Sequence, residues 1–185
     1  MQPPGANAHL ILLTGPHGAG KTTLLGQLVQ QAKQADWTVC GLLSPAQIHN
    51  GRKIRLHALD VYSGGRRLLA SRVVGELDGP RVGDWIFDSD ALAWGNALLA
   101  RTPPCDLFVL DELGPLEFDH HRGWTVAFDL LAKPMPCRLA IVVVRPDYAE
   151  SLLHRCPQAE TVTAYKPAEA DALARQLWEM YRNTP

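Results

Sequence analysis

Gly15-Pro16-His17-Gly18-Ala19-Gly20-Lys21-Thr22 has the spacing G-x-x-x-x-G-K-[ST], the pattern of a backbone cradle for phosphate groups. Glycines at 18 and 20 let the chain curl so that successive N–H groups point at phosphate oxygens. A helix beginning where the loop ends adds the partial positive charge of its N-terminus. In such a cradle Lys21 reaches the terminal phosphates as a point charge, and the Thr22 hydroxyl is placed to ligate Mg²⁺. The run Gly15, Pro16, His17, Gly18, Ala19, Gly20, Lys21, Thr22 and Thr23 is therefore the candidate nucleotide-binding segment. His17 reads as a solvent-facing member of the loop that touches a phosphate only when protonated.

Phe108-Val109-Leu110-Asp111-Glu112 supplies a second half: an apolar strand ending in two acids. Asp111 is placed to hold Mg²⁺ through a water, together with Thr22. Glu112 is placed to polarise an attacking water as general base. Lys21 and Glu112 thus form the candidate catalytic pair. A water-directed acid favours hydrolysis over transfer of the phosphoryl group. A nucleoside or nucleotide kinase stays as a weaker alternative, since no arginine-rich lid is recognisable. The other alternative is a nucleotide-dependent binding adaptor in which slow hydrolysis resets a switch.

Further candidates are single residues. Arg145 ends an apolar strand near where a γ-phosphate sensor would sit; simple pairing with an acid is the competing reading. Tyr165 and Lys166 precede Pro167 at a position suited to contacting a base, or merely to starting a helix. No N-K-x-D run occurs, which argues against strict guanine specificity. Arg52, Lys53, Arg55, Arg66 and Arg67 read as a solvated face rather than an RNA site.

The elements that must position these groups follow from periodicity. His9–Thr14 reads as a first strand, and Leu24, Leu25, Leu28, Val29 and Ala32 form one face of the next helix. Trp37–Leu43, Cys105–Leu110 and Leu139–Val144 read as further buried strands, the last apolar on both faces. Ile54, Leu56 and Ala58 alternate with Lys53, Arg55 and His57, and Ser63-Gly64-Gly65-Arg66 is a turn signal, so 52–70 reads as a β-hairpin excursion. Asp88 or Ser89 caps a helix over Ala91–Leu99. Another helix runs through Trp124–Leu131, and a short one follows Pro146. A weak strand lies near Thr161–Thr163, and the last helix begins near Pro167. Strands alternating with helices predict an α/β fold: a doubly wound, mainly parallel sheet with helices on both faces.

Composition narrows the partners. The chain has 185 residues, 46% of them apolar, with 18 basic against 19 acidic residues. That length suits a single domain over 1–185, with a flexible N-terminus over 1–8. Balanced charge argues against nucleic-acid binding by bulk electrostatics. No apolar run approaches the ~18–20 residues of a membrane span, and the start lacks a basic signal-peptide region, so a cytoplasmic location is expected. The cysteines at 40, 105, 137 and 156 form no C-x-x-C pair and read as small core residues.

Leu110-Asp111-Glu112-Leu113-Gly114-Pro115-Leu116-Glu117-Phe118 resembles the D-E-I-G-x-M-E-L signature of the THEP1 family of P-loop nucleoside-triphosphatases. Thr14–Thr23 resembles the family's T-G-x-x-G-x-G-K-T-T. Gly41–Ser44 with the following hairpin resembles its G-F-x-T segment, and Val82-Gly83-Asp84-Trp85 its V-G-x-Y. The resemblance extends over nearly the whole chain. It implies a RecA-like P-loop fold and Mg²⁺-dependent hydrolysis of ATP, GTP and other nucleoside triphosphates to the diphosphate, with loose base selectivity. It also adds Glu117 to the candidate site. Leu116 replaces the usual Met, and Pro45-Ala46-Gln47 stands where the family commonly carries Glu and Arg. The altered segment with the hairpin offers a surface for an unidentified protein partner.

Overall fold

Parallel and antiparallel pairing divide the sheet into two unlike halves. The computed structural model describes residues 8–183; all but the last residue of the expected flexible segment 1–8 lies outside them. In chain order the elements are β1 (His9–Thr14), α1 (Lys21–Gln34), β2 (Val39–Leu43), β3 (Ala46–His49), β4 (Arg52–Asp60), β5 (Arg66–Ser71), β6 (Arg81–Val82) and β7 (Trp85–Phe87). Then come α2 (Ser89–Leu99), β8 (Cys105–Leu113), α3 (Pro115–Phe118), α4 (Val126–Leu131), β9 (Cys137–Val144), α5 (Pro146–Arg155), β10 (Glu160–Thr163) and α6 (Ala170–Tyr181). A single 3₁₀ turn at Pro167–Glu169 leads into α6, so the helix expected from Pro167 starts one tight turn later.

The strand order is β10-β1-β9-β8-β2-β4-β5-β7-β6, with β3 beside β4. From β10 to β2 every pairing is parallel, as crossover helices require. Side chains alternate across this half. Leu10 and Leu12 face the layer containing Leu92, Leu99, Ala127, Leu131 and Leu152, while Ile11 and Leu13 face Leu24, Leu28, Ala174 and Leu177. Helices therefore cover both faces, and the strands are apolar throughout. The four cysteines are all free and buried.

Beyond β2 the sheet turns antiparallel. The expected hairpin is the β4/β5 pair, but it is part of a larger wing containing β3, β6 and β7. Those strands are two to four residues long, too short to show a period in sequence. The ion pair of Arg55 with Glu76, at 2.6 Å, and a hydrogen bond from the Ser71 hydroxyl to Glu76 tie the 72–80 loop to the wing.

Two irregularities set which side chains this wing points inward. Gln47 pairs with Arg55 and Ile48 with Lys53, leaving Ile54 as an extra residue in β4. Leu56 pairs with Ala70 and His57 with Leu68, leaving Leu69 extra in β5. Such bulges re-aim neighbouring side chains. Lys53 and Leu56, three apart, consequently line one cavity, as do Leu69 and Arg72. No helix among the described residues is long and apolar enough to cross a membrane.

Candidate functional site

The phosphate-cradle sequence spans the turn from β1 into α1, and its glycines sit where other residues would be strained. Gly15, Gly18 and Gly20 have φ of 137°, 81° and 85°, the region an L side chain avoids. At Gly15 there is also no room: a Cβ would lie 2.0 Å from the Ala164 carbonyl oxygen. The amides of His17, Gly18 and Gly20 donate to no acceptor among the described residues. With the first turn of α1 they form a concave set of donors suited to anionic oxygens.

Lys21 is buried in the mouth of this loop. Its ammonium donates to the Gly15 carbonyl at 2.8 Å and the Pro16 carbonyl at 3.0 Å. Nζ also lies 3.8 Å from Glu112 Oε1. Burial lowers its pKa from the ordinary lysine value, while Glu112 and Asp111 oppose that shift. Thr22 and Thr23 occupy the same first turn.

Asp111 and Glu112 sit near the end of β8, joined by a cis peptide. Asp111 is 2% exposed. Its carboxylate takes hydrogen bonds from Thr22 and from the Ser44 amide, the latter at 3.1 Å. Burial pushes its carboxyl up to about 6, with Glu112 adding to the effect and those hydrogen bonds opposing it. A buried carboxylate beside a hydroxyl, lacking a cation of its own, is a hard oxygen donor set that fits Mg²⁺. Burial raises the Glu112 pKa too, against the pull of Lys21, Arg145 and Lys53.

Arg145 ends β9 and starts α5. Its stem lies under Gly114, where a Cβ would meet its Cγ at 2.8 Å. His17, Thr22, Asp111, Glu112, Glu117 and Arg145 all line one cavity of about 420 Å³. The fold thus brings together residues drawn from the β1, β8 and β9 ends. His17 is exposed, as expected of a solvent-facing loop residue, while standing at the edge of this cavity. Its pKa falls through burial first, then through Lys53, Arg145, Lys21 and Arg72.

Glu117 is differently engaged. It is 4% exposed, and its carboxylate accepts the amides of Trp124 and Gly114, each at 2.9 Å. Burial pushes its carboxyl up to about 7 against those hydrogen bonds. Asn96 braces the same loop, donating to the Gly123 carbonyl at 2.6 Å and the Leu92 carbonyl at 3.0 Å, and accepting the Val126 amide at 3.1 Å. Glu117 therefore holds the 114–124 loop that walls the cavity.

Tyr165 and Lys166 stand outside that cavity, with Tyr165 67% exposed. Their segment nonetheless abuts the loop, through Ala164 at Gly15 and Pro167 at Gly20. Sequence reasoning assigned no role to Ser44 or Arg72 and read Lys53 as part of a solvated face, whereas Lys53 is half-buried and lines the cavity. Ser44 was visible only as the end of the Gly41–Ser44 match. The other two needed the antiparallel register.

A family model described as NTPase matches residues 10–175. The chain belongs to the NTPase family. Proteins named nucleoside-triphosphatase THEP1 are among its relatives. That of Ignicoccus hospitalis is 38% identical over 107 residues, 58% of this chain and 60% of that protein. That of Caldivirga maquilingensis is 33% identical over 110 residues, 60% of this chain and 61% of that protein. The matched part thus spans about 60% of the length of these curated relatives. The crystal structure of THEP1 from Aquifex aeolicus superposes with a TM-score of 0.69 at 15% identity, covering 95% of this chain and 99% of that one. The solution structure of a human cancer-related nucleoside triphosphatase gives 0.71 at 19% identity, covering 96% and 99%. At those identities the likeness establishes the fold, the α/β P-loop architecture expected from sequence.

Proposed function

We propose that the chain hydrolyses nucleoside 5′-triphosphates, ATP and GTP among them, to the diphosphate and phosphate with Mg²⁺. The observation that carries the reading is the approach of Lys21 and Glu112 at 3.8 Å in the mouth of a glycine loop. The names of the relatives support the same reaction.

The loop amides and the α1 N-terminus bind the phosphate oxygens, and Lys21 exchanges its carbonyl partners for the terminal phosphates. Thr22 and Asp111 would hold Mg²⁺, which would supply neutralisation of phosphate charge at this end of the cradle. Glu112 orients a water towards the γ-phosphorus and takes its proton at a carboxylate oxygen. The new bond joins water oxygen to phosphorus, and the bond to the bridging oxygen of the diphosphate breaks. Arg145, facing the same cavity, adds positive charge where the γ-phosphate oxygens develop it. Tyr165 and Lys166 belong to the base side of the loop. Buried, unpaired thiols suit a reducing compartment, so the cytoplasm is the proposed location.

Phosphate release from ATP, GTP, CTP and UTP with Mg²⁺ tests the reading, beside Lys21→Ala and Glu112→Gln. Release from several triphosphates, lost in both variants, is expected. Unchanged turnover in Glu112→Gln removes that residue from the mechanism, and no release from any triphosphate overturns the activity.

A further inference from the structure

The cavity holding Glu112 is larger and more apolar than a water-positioning site needs. Strand order gives its layout. The Ala164–Pro167 segment, after β10, abuts one flank of the glycine loop. Asp111, Glu112 and Arg145 stand on the other, and past them lie β2, β4, β5 and β7. The cavity continues under this antiparallel wing, where Leu56, Leu69, Val82, Trp85, Leu92 and Trp124 form its wall. With residues 15–22 read as the triphosphate cradle, this part lies beyond Glu112 from the loop.

Its charge is as specific as its shape. Lys53, Arg72 and Arg145 line the chamber, and none has a carboxylate within 4 Å among the described residues. Arg55, by contrast, is consumed by Glu76, Arg66 bonds His57, and Arg67 lies over Trp94. The Arg72 guanidinium lies 4.5 Å over the Trp85 ring, which holds it at the rim. Lys53 and Arg72 also line an adjoining groove with Arg52 and Arg81, and Asp84 is an acidic member of both the groove and the chamber. The two β-bulges bring these cations onto the wall that carries Leu56 and Leu69. The pKa of His17 is lowered by desolvation first, with Lys53, Arg145, Lys21 and Arg72 adding to it.

A half-open, largely apolar cleft on which cations without an ion-pair partner converge has the make-up of a small-molecule site. The half-buried Trp85 indole beside Leu56 and Val82 suits an apolar ring system, and clustered Lys and Arg suit a phosphate dianion. We propose that this chamber binds a second ligand beside the nucleotide, an organic phosphate monoester with a ring-bodied apolar group, gripped at its phosphate by Lys53 and Arg72. The site lies on the γ-phosphate side of Glu112, so its occupant controls which molecules reach that carboxylate. The inference uses the reading of residues 15–22 as the triphosphate cradle only to orient the two ligands.

Titration calorimetry with 1-naphthyl phosphate tests it on the full chain saturated with Mg²⁺ and ADP. Saturable binding of one probe per chain is expected, weaker by tenfold or more for 1-naphthol and for inorganic phosphate. Lys53→Met and Arg72→Ala should each weaken it about tenfold, the loss of one charge-assisted contact. Val82→Trp, which fills the chamber from the short β6/β7 hairpin, should abolish it. ADP affinity within twofold of the wild type verifies each variant's fold; should Val82→Trp fail that check, Lys53→Met decides. Lys21→Ala should lose ADP but keep the probe. Absence of probe binding, displacement of the probe by ADP, or binding untouched by Lys53→Met overturns the proposal. Failure of the wild type to bind ADP would instead overturn the cradle reading.

Discussion

Lys21 Nζ and Glu112 Oε1 lie 3.8 Å apart although β9 runs between the strands that lead to them. The lysine belongs to the grip on phosphate and the glutamate to the water, so substitution should separate binding from turnover. Lys21→Met removes charge-assisted contacts worth roughly 1.5–3 kcal/mol each. ATP affinity should fall by about a hundredfold or more by calorimetry. Glu112→Gln should bind ATP within about threefold of the wild type while phosphate release drops on the order of a hundredfold or more. Parallel losses of affinity in both variants would contradict this division.

Legibility of these features in the sequence followed their locality. The loop could be read because its chemistry is consecutive: glycines are required at the positive φ of 15, 18 and 20, and Lys21 and Thr22 follow directly. Asp111 and Glu112 could be read because they end a strand apolar enough to be central. The layering of the parallel half followed from alternating periods. The wing could not be read in the same way. Strict alternation separates Lys53 from Leu56, and only the extra residue Ile54 puts both on one cavity wall. Glu117 was picked out by its motif, but its hydrogen bonds to Gly114 and Trp124 depend on a loop closure that no local pattern reveals.

The glycines of the cradle should differ sharply on substitution. At Gly15 an alanine Cβ meets the Ala164 carbonyl at 2.0 Å, whereas at Gly18 nothing lies within 4 Å. Gly18→Ala incurs only the left-handed backbone cost of about 1–2 kcal/mol. Gly15→Ala must also push β1 from the segment after β10, for a total of about 3 kcal/mol or more. In a chain of this length that difference shifts the thermal midpoint by several degrees, at roughly 2–4 °C per kcal/mol. Thermal unfolding of the two variants side by side checks the order; equal midpoints would contradict the clash.

Asn96 offers a test of the wall independent of the cradle. Its side chain satisfies the Gly123 carbonyl and the Val126 amide from α2. Asn96→Ala leaves both without that partner, a loss of about 2 kcal/mol and roughly 4–8 °C in thermal midpoint. ADP affinity should be unchanged, since no atom of the loop 15–22 is touched. A large fall in ADP affinity would show that the 114–126 loop carries nucleotide contacts.

Glu117 gives the stability of the chain a pH dependence. In the folded chain burial pushes its carboxyl up to about 7, against an ordinary value of 4.5. Between those values the folded state binds more protons than the unfolded one, so stability declines as pH rises through that window and levels off above it. A shift of this size corresponds to about 3 kcal/mol. Asp111 and Glu112, also raised by burial, act in the same direction. Glu117→Gln stays neutral throughout and keeps one acceptor for the amides of Gly114 and Trp124. Urea unfolding without nucleotide at pH 5 and pH 8 should therefore show a smaller decline in the variant, by about 3 kcal/mol. The wild type should be the more stable at pH 5, where protonated Glu117 still offers both oxygens. Equal declines in the two chains would mean that Glu117 is ionised in the folded state well below neutral pH.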